Sequence, residues 1–339
     1  MYRSVIILLL VTEVFSLLRE DIDKEWNIFK LKYNRTFLSD VEENYRYSVF
    51  TESIQAVHLH NMAASKGRYS FWLNINHFAD MTDEEYEDKM TGLAADISNK
   101  TSEISEVIQT KSSYNVTSLP TEVDWRNEKC VTSVKNQGAC GSCYAFSTTG
   151  SLESHHCLKS GALVSLSEQN IIDCTDNKKY HNKGCKGGLM DHAFQYIIDN
   201  GGIDTEKSYP YSEEVGRCMF EKQAVGATVQ SYRDVLPRGD EYELKKAVGS
   251  VGPVSVGVDA RGLLFRLYSY GVYDNFMCSS KKLNHGMLIV GYGTTGDGIE
   301  YWLLKNSWST YWGLDGYMKM IRNKGNRCGI ASLASYPIV

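Results

Sequence analysis

The stretch Gln137-Gly138-Ala139-Cys140-Gly141-Ser142-Cys143-Tyr144-Ala145-Phe146-Ser147 carries the most chemical information in this sequence. A glycine-rich turn runs into helix-forming residues, which predicts a helix over 143–160 with Cys143 at its start. Unpaired N–H groups at a helix N-terminus favour negative charge and lower a thiol pKa. The thiolate is the nucleophilic form, and a nearby histidine would complete its activation. Cys140-x-x-Cys143 has two other readings. A redox pair belongs near a βαβ pattern, which is not found. A zinc half-site needs a second Cys-x-x-Cys or a His-x-His partner, which is also missing. The remaining reading makes Cys143 a nucleophile and ties Cys140 into a disulfide. All five positions of the signature Cys-Gly-[Ser/Ala]-Cys-[Trp/Tyr] are matched, and the signature requires a His and an Asn roughly 130–150 residues downstream. Asn284-His285-Gly286 and Asn306-Ser307-Trp308 supply them in that order. A single histidine near a strand is more often structural, but the joint occurrence of the three segments reverses that prior. His156 and His192 have no such context and read as packing or surface residues.

These residues need a scaffold, and the sequence of 339 residues allows about two globular units. Arg3 followed by the apolar run from Val5 reads as a signal peptide ending near Ser16. The run from Val5 to Leu18 is interrupted by Glu13 and falls short of the roughly 20 residues of a spanning helix, so no membrane span is expected. The nine cysteines all follow residue 129. In an oxidising compartment they should mostly pair, and an odd number leaves at least one thiol over. The net charge of −5 argues against nucleic acid as a partner.

From about 20 to 92 the chain is acidic, aromatic and helix-like. Trp26, Phe29 and Tyr33 fall at helical spacing, and so do Glu42, Arg46, Phe50, Ser53, Val57 and Asn61. Phe71 to Asn76 alternates like a short strand. Residues 94–118 are rich in Ser and Thr, as an exposed and cleavable linker would be. Cysteines, glycines and tryptophans begin at Leu119-Pro120. After that point 143–160 and 188–200 read as helices. Pro253–Val258, Gly286–Val290 and Tyr301–Leu304 read as strands of a small sheet or barrel. The sequons at Asn34, Asn99 and Asn115 are candidate glycosylation sites.

With these motifs in hand, the chain resembles the papain family, within it the cathepsin L and cathepsin S group, over essentially all of residues 20–339. Asp124-Trp125-Arg126, Leu166-Ser167-Glu168-Gln169, Gly184-Cys185-Lys186-Gly187-Gly188 and Cys328-Gly329-Ile330-Ala331 carry the resemblance along with the segments above. The six spaced positions of the helical segment resemble the Glu-Arg-Phe-Asn-Ile-Asn proregion pattern. Ser53 replaces the first Asn there and Val57 the Ile. Asn76-His77-Phe78-Ala79-Asp80 resembles the companion Asn-x-Phe-x-Asp pattern, with Asn74 where many relatives have Gly. The resemblance implies an α+β, papain-like two-lobed fold. A signal peptide at 1–16 and an inhibitory propeptide at 17–118 would precede a peptidase domain at 119–339, with a helical lobe to about 230 and a β-rich lobe beyond.

It also implies roles. Cys143 attacks the scissile carbonyl, His285 pairs with it and protonates the leaving amine, and Asn306 orients the imidazole. Trp308 shields the Asn–His bond, while the Gln137 side chain and the Cys143 N–H form the oxyanion hole. Expected disulfides are Cys140–Cys185, Cys174–Cys218 and Cys278–Cys328, which leaves Cys130 and Cys157 as free buried thiols. Gly187 and Gly188 let substrate backbone approach. Leu189, Met190, Gly257, Leu283 and Leu333 line an apolar pocket for the residue two before the cleaved bond, so Leu, Val or Phe is expected there. Ser309, commonly Gly, and Lys186, commonly Asn, depart from the family.

No cofactor or metal is expected. Protein and peptide substrates, the chain's own propeptide and cystatin-type inhibitors are the expected partners of a monomer that is lysosomal or secreted. Acid should loosen the propeptide as carboxylates such as Asp80 protonate. The alternative functions are a catalytically silent homologue or a secreted protease-binding inhibitor, and beyond those a structural role.

Overall fold

The computed structural model describes residues 19–93, the backbone of 95–96, and residues 119–339. The signal segment, the linker, Asn99 and Asn115 lie outside that range. Helix α1 (19–32) packs Trp26 and Phe29 against Phe50 of helix α2 (Asp40–Ala64). Phe50, Ser53 and Val57 form the buried face of α2, as their spacing requires. Asn61 exchanges two hydrogen bonds with the Leu73 backbone and so pins strand β1 (Phe71–Leu73) to the helix.

The expected strand to Asn76 stops at Leu73. The Asn76 side chain turns inward, accepting from the Phe78 N–H and donating to the Arg266 carbonyl, and the chain bends. Helix α3 (Asp83–Met90) follows, opened by a Thr82–Glu85 capping box. Strand β2 (Ala95–Asp96) closes the described N-terminal part.

After residue 119, strand β3 (Val123–Asp124) leads to helix α4 (Cys143–Ser160), which has the bounds the sequence predicts. Gly161 ends it in a left-handed conformation, with its N–H returning to Cys157. Helices α5 (Glu168–Thr175) and α6 (Met190–Asn200) complete an apolar cluster around Leu152, Ile171, Phe194 and Ile197. Strands β4 (Ile203–Asp204) and β5 (Val225–Ala227) form a separate ribbon.

The rest is mainly sheet. Strand β6 (Ser231–Asp234), helix α7 (Glu241–Ser250), strand β7 (Val254–Val258), the short helix α8 (Leu263–Arg266) and strand β8 (Tyr268–Tyr273) come first. Strands β9 (Lys282–Leu283), β10 (His285–Thr294), β11 (Glu300–Lys305), β12 (Tyr317–Ile321) and β13 (Ala334–Ile338) follow. The large sheet runs β1-β8-β12-β11-β10-β7-β13-β6, with β3 beside β10. All its pairs are antiparallel except β12 with β8. Strand β1 of the N-terminal segment thus extends the sheet of the C-terminal domain. One hydrophobic core runs through both, from Trp26 and Phe50 to Val256 and Trp302.

The cysteines correct one expectation. Cys140–Cys185, Cys174–Cys218 and Cys278–Cys328 are bonded as the resemblance implies. Cys130 and Cys157 are not free thiols: they form a fourth disulfide. The loop after β3 folds back on the C-terminal turn of α4 and brings their Cα atoms to 5.4 Å, within bonding range. Cys143 is the single free cysteine among the described residues.

Candidate active site

Helix α4 is buried along almost its whole length and carries small residues where the sheet meets it. Gly150 lies so close to Leu288 that an added Cβ would stand 3.0 Å from it. The Ser147 hydroxyl donates to the Met287 carbonyl at 2.6 Å, and Ser255 donates to the Ser147 carbonyl at 2.8 Å. This seam, short side chains hydrogen-bonded directly to strands β7 and β10, fixes the start of α4 against the start of β10. Cys143 and His285 sit at those two starts.

The Cys143 Sγ accepts a hydrogen bond from the Gly286 N–H at 3.2 Å. The His285 Nε2 bonds the Asn306 Oδ1 at 2.8 Å; that oxygen can only accept, so Nε2 carries the proton and Nδ1 is the free base. Nδ1 is buried and has no hydrogen-bond partner. Asn306 is held in turn by the Ser307 N–H on the same oxygen. Trp308, fully buried, stacks on the His285 ring at 4.3 Å. Burial pushes the Cys143 thiol up to about 11 against the opposing backbone N–H groups of Gly286, Gly92 and Tyr144. Burial likewise pushes His285 down to about 4, only partly offset by Asn306. In this closed state burial thus disfavours the charged form of both groups.

What buries them is the N-terminal segment itself. The Gln137 Nε2 donates to the Met90 carbonyl at 3.1 Å. The Gly92 and Leu93 N–H groups both donate to the Asn284 carbonyl, and the Gly188 N–H donates to the Gly92 carbonyl at 2.8 Å. Gly92 has to be glycine: a Cβ there would lie 1.8 Å from the Gly141 oxygen. Gly187 is required for the same contact, its absent Cβ lying 2.5 Å from the Gly92 oxygen. Gly188 meets the bound chain through its N–H. Its missing side chain makes room for Asn182 and Tyr144.

Of the five residues expected to line a pocket, Gly257, Leu283 and Leu333 lie together at Leu93. Leu189, Met190, Leu283 and Leu333 share one apolar cluster with Leu93, which is 3% exposed. The Leu93 Cδ2 lies 2.6 Å from where a Gly257 Cβ would stand, with Leu283 and Leu333 beside it at 3.2 and 3.3 Å. Beyond Leu93, β2 pairs with β9.

Sequence reasoning did not find several residues that matter here. Met90, Gly92 and Leu93 lie in a stretch without a motif. Lys135, partly buried, donates to Glu153 and Glu168 at 2.9 and 2.7 Å, and Lys305, next to Asn306, donates to Thr132. Charged residues scattered over 170 positions give no local signal that they meet. Arg46 of the proregion pattern forms a two-pronged ion pair with Glu85, an explanation of that position that only the fold supplies. No group of His, Cys, Asp or Glu suited to a metal occurs among the described residues, and no helix among them is long and apolar enough to cross a membrane. Asn34 is exposed at the turn after α1.

A chain that lays its own N-terminal segment through a cleft holding its single free thiol is built as a precursor, and the class is that of the cysteine peptidases. The family comparison agrees, and the chain belongs to the papain family of cysteine proteases. The profile described as papain family cysteine protease matches residues 119–338. The cathepsin propeptide inhibitor domain (I29) matches residues 26–86. The chain is 48% identical to cathepsin L of Sarcophaga peregrina, over 94% of this chain and 93% of the relative. It is 47% identical to cathepsin S of Bos taurus, over 93% and 91%. Among solved structures, digestive procathepsin L2 proteinase from Tenebrio molitor larval midgut superposes with a TM-score of 0.85 at 38% identity, covering 94% of this chain and 100% of the other. Digestive procathepsin L 3 of the same tissue gives 0.82 at 40%, covering 94% and 99%. The protein is a papain-like cysteine endopeptidase carrying an inhibitory propeptide domain.

Proposed function

We propose that Cys143 and His285 carry out peptide hydrolysis once the N-terminal segment leaves the cleft. Water then reaches both groups, the burial that disfavours their charged forms is relieved, and the proton passes from Sγ to Nδ1. The thiolate attacks the scissile carbonyl carbon, and the carbonyl electron pair moves onto oxygen. The Gln137 Nε2 and the Cys143 N–H receive that charge, a donor of this kind contributing about 10²–10³ in rate. His285 gives its proton to the leaving amine, then takes one from the water that frees the acyl group. Asn306 holds the ring in the required tautomer, and Trp308 keeps water from that bond.

The observation that carries this reading is the Gln137 side chain donating to a peptide carbonyl, that of Met90, in the cleft beside Cys143. The direction of the chain fits an inhibitor. From Met90 at Gln137 to Leu93 in the Gly257 pocket it runs N to C. A substrate with its second residue before the cleaved bond in that pocket runs the opposite way. The placing of a leucine there, Leu93, supports a preference for Leu, Val or Phe in that pocket.

The further readings are removal of residues 17–118 in acid by cleavage near Leu119, entry to the secretory route through residues 1–16 to a lysosomal or extracellular destination, and a monomer open to cystatin-type inhibitors. The test is labelling of the acid-treated protein with a thiol-reactive epoxide, repeated on Cys143→Ala. Label and peptide hydrolysis should vanish together. Hydrolysis that survives the substitution, or a peptide library that favours Arg at the pocket position, overturns the assignment.

A further inference from the structure

The turn 76–81 is the part of the N-terminal segment that presses on the catalytic histidine through one intermediate. Phe78 packs edge-on against Trp308 at 5.4 Å, and Trp308 stacks on His285. Arg266 clamps the turn from the enzyme side, donating to the Met81 carbonyl while its own carbonyl accepts from Asn76. His77 sits in the middle. Its ring packs on Phe78 at 3.8 Å and lies between Tyr33 and Tyr311, each 6.1 Å away; Tyr311 belongs to the peptidase domain. Its Nδ1 is shielded from water and has no hydrogen-bond partner.

The charged groups around this ring are already engaged. Arg35, from the segment after α1, donates to the His77 carbonyl and pairs with Asp80 at 3.0 Å. Arg46 of α2 donates to the Asp80 carbonyl and pairs with Glu85. Tyr33 and Tyr311 flank the ring on either side. A second proton on the imidazole would put an N–H where nothing receives it, beside a guanidinium.

We propose that His77 is the acid sensor of the precursor: the turn docks on the Trp308–Tyr311 edge of the cleft only while this imidazole is neutral, and its protonation releases the proregion. The proposal rests on the acid-activation reading above and names the group behind it. Burial, reinforced by Arg35, pushes His77 down from 6.5 to about 3. A base whose docked pKa is depressed takes up protons preferentially in the released state. Docking is then unimpaired above pH 6.5 and weakens about tenfold for each unit below it, on the order of 100-fold by pH 4.5.

Asp80 is the other titratable group of the turn, paired with Arg35 at 3.0 Å. Burial raises its carboxyl in spite of Arg35 and Arg46. His60 is also lowered by burial, but it bonds Phe71 and stacks on Tyr69 inside the proregion, away from the cleft.

The experiment uses the full chain with Cys143→Ala, which does not process itself, and His285→Gln, which removes the second imidazole that closure of the cleft lowers. Hydrogen exchange of amides in 76–93, corrected for the intrinsic rate, is followed from pH 7.0 to 4.5, and the His77 ring is titrated by NMR. Protection is expected to fall on the order of 100-fold in the parent. With His77→Phe or His77→Gln added it should change by less than about threefold, and His77→Lys should be unprotected already at pH 7.0. The ring should titrate below pH 5. A parent that stays protected at pH 4.5 refutes acid release itself. A parent that opens while both neutral variants open with the same pH dependence refutes only the assignment to His77. If neither neutral variant docks at pH 7.0, the ring titration decides, and a value near 6.5 in the docked chain overturns the proposal.

Discussion

Replacing Leu93 by Ala tests whether the Gly257 pocket holds the proregion in the cleft. Leu93 is 3% exposed, and its Cδ2 reaches the space above Gly257, between Leu283 and Leu333. The substitution removes three buried carbons, at about 0.8 kcal/mol each, or about 2.4 kcal/mol. Water can refill a pocket at the cleft surface, so the added cavity cost of a closed core is small here. At 1.36 kcal/mol per decade, the open fraction of the precursor should rise about 60-fold. The assay is the rate at which a small epoxide labels Cys143 in the intact precursor at pH 7.0, a rate proportional to the open fraction. Ile28→Ala, on the exposed side of α1, should leave that rate unchanged. An increase of less than about threefold for Leu93→Ala would show that Leu93 contributes little to closure, and with it would fall the inference that this pocket selects apolar residues.

The ion pair of Arg46 and Glu85 holds α3 to α2. The Arg46 hydrogen bonds push the Glu85 carboxyl down to about 2, so its stabilisation is present above pH 4.5 and lost between about 4.5 and 2. Denaturant unfolding of the Cys143→Ala chain carrying Glu85→Gln should show a loss of about 1 kcal/mol at pH 7, solvent screening included, that shrinks by pH 3. Ser309 occupies a left-handed conformation, φ 62°, while its N–H bonds the Lys135 carbonyl. Ser309→Gly should relieve about 1 kcal/mol of strain and raise the melting temperature by roughly 2–4 °C. Replacing Cys130 and Cys157 together by Ala should cost about 3.5 kcal/mol for a loop of 27 residues, measured in the same unfolding experiment with the other disulfides intact.

What the sequence determined by itself is what local chemistry or a fixed order of segments can encode. Helix α4 was legible to the residue because a glycine-rich turn opens it and Gly161 closes it, both acting within one turn of the chain. The apolar runs of β7, β10 and β11 declared themselves by composition. Cys143, His285 and Asn306 were nameable because the family resemblance supplied their order, and α4 and β10 then bring two of them to adjoining ends. Tertiary structure alone decided the rest. The Cys130–Cys157 bond depends on a loop folding back on α4, and nothing within either segment specifies that approach. Asn76 ends β1 early because a carbonyl on α8, far along the chain, accepts its amide. Most of all, charge state is set by burial, which has no sequence signature. The carboxyl of Asp80 is raised and the imidazoles of His77 and His285 are lowered because distant elements close over them and exclude water.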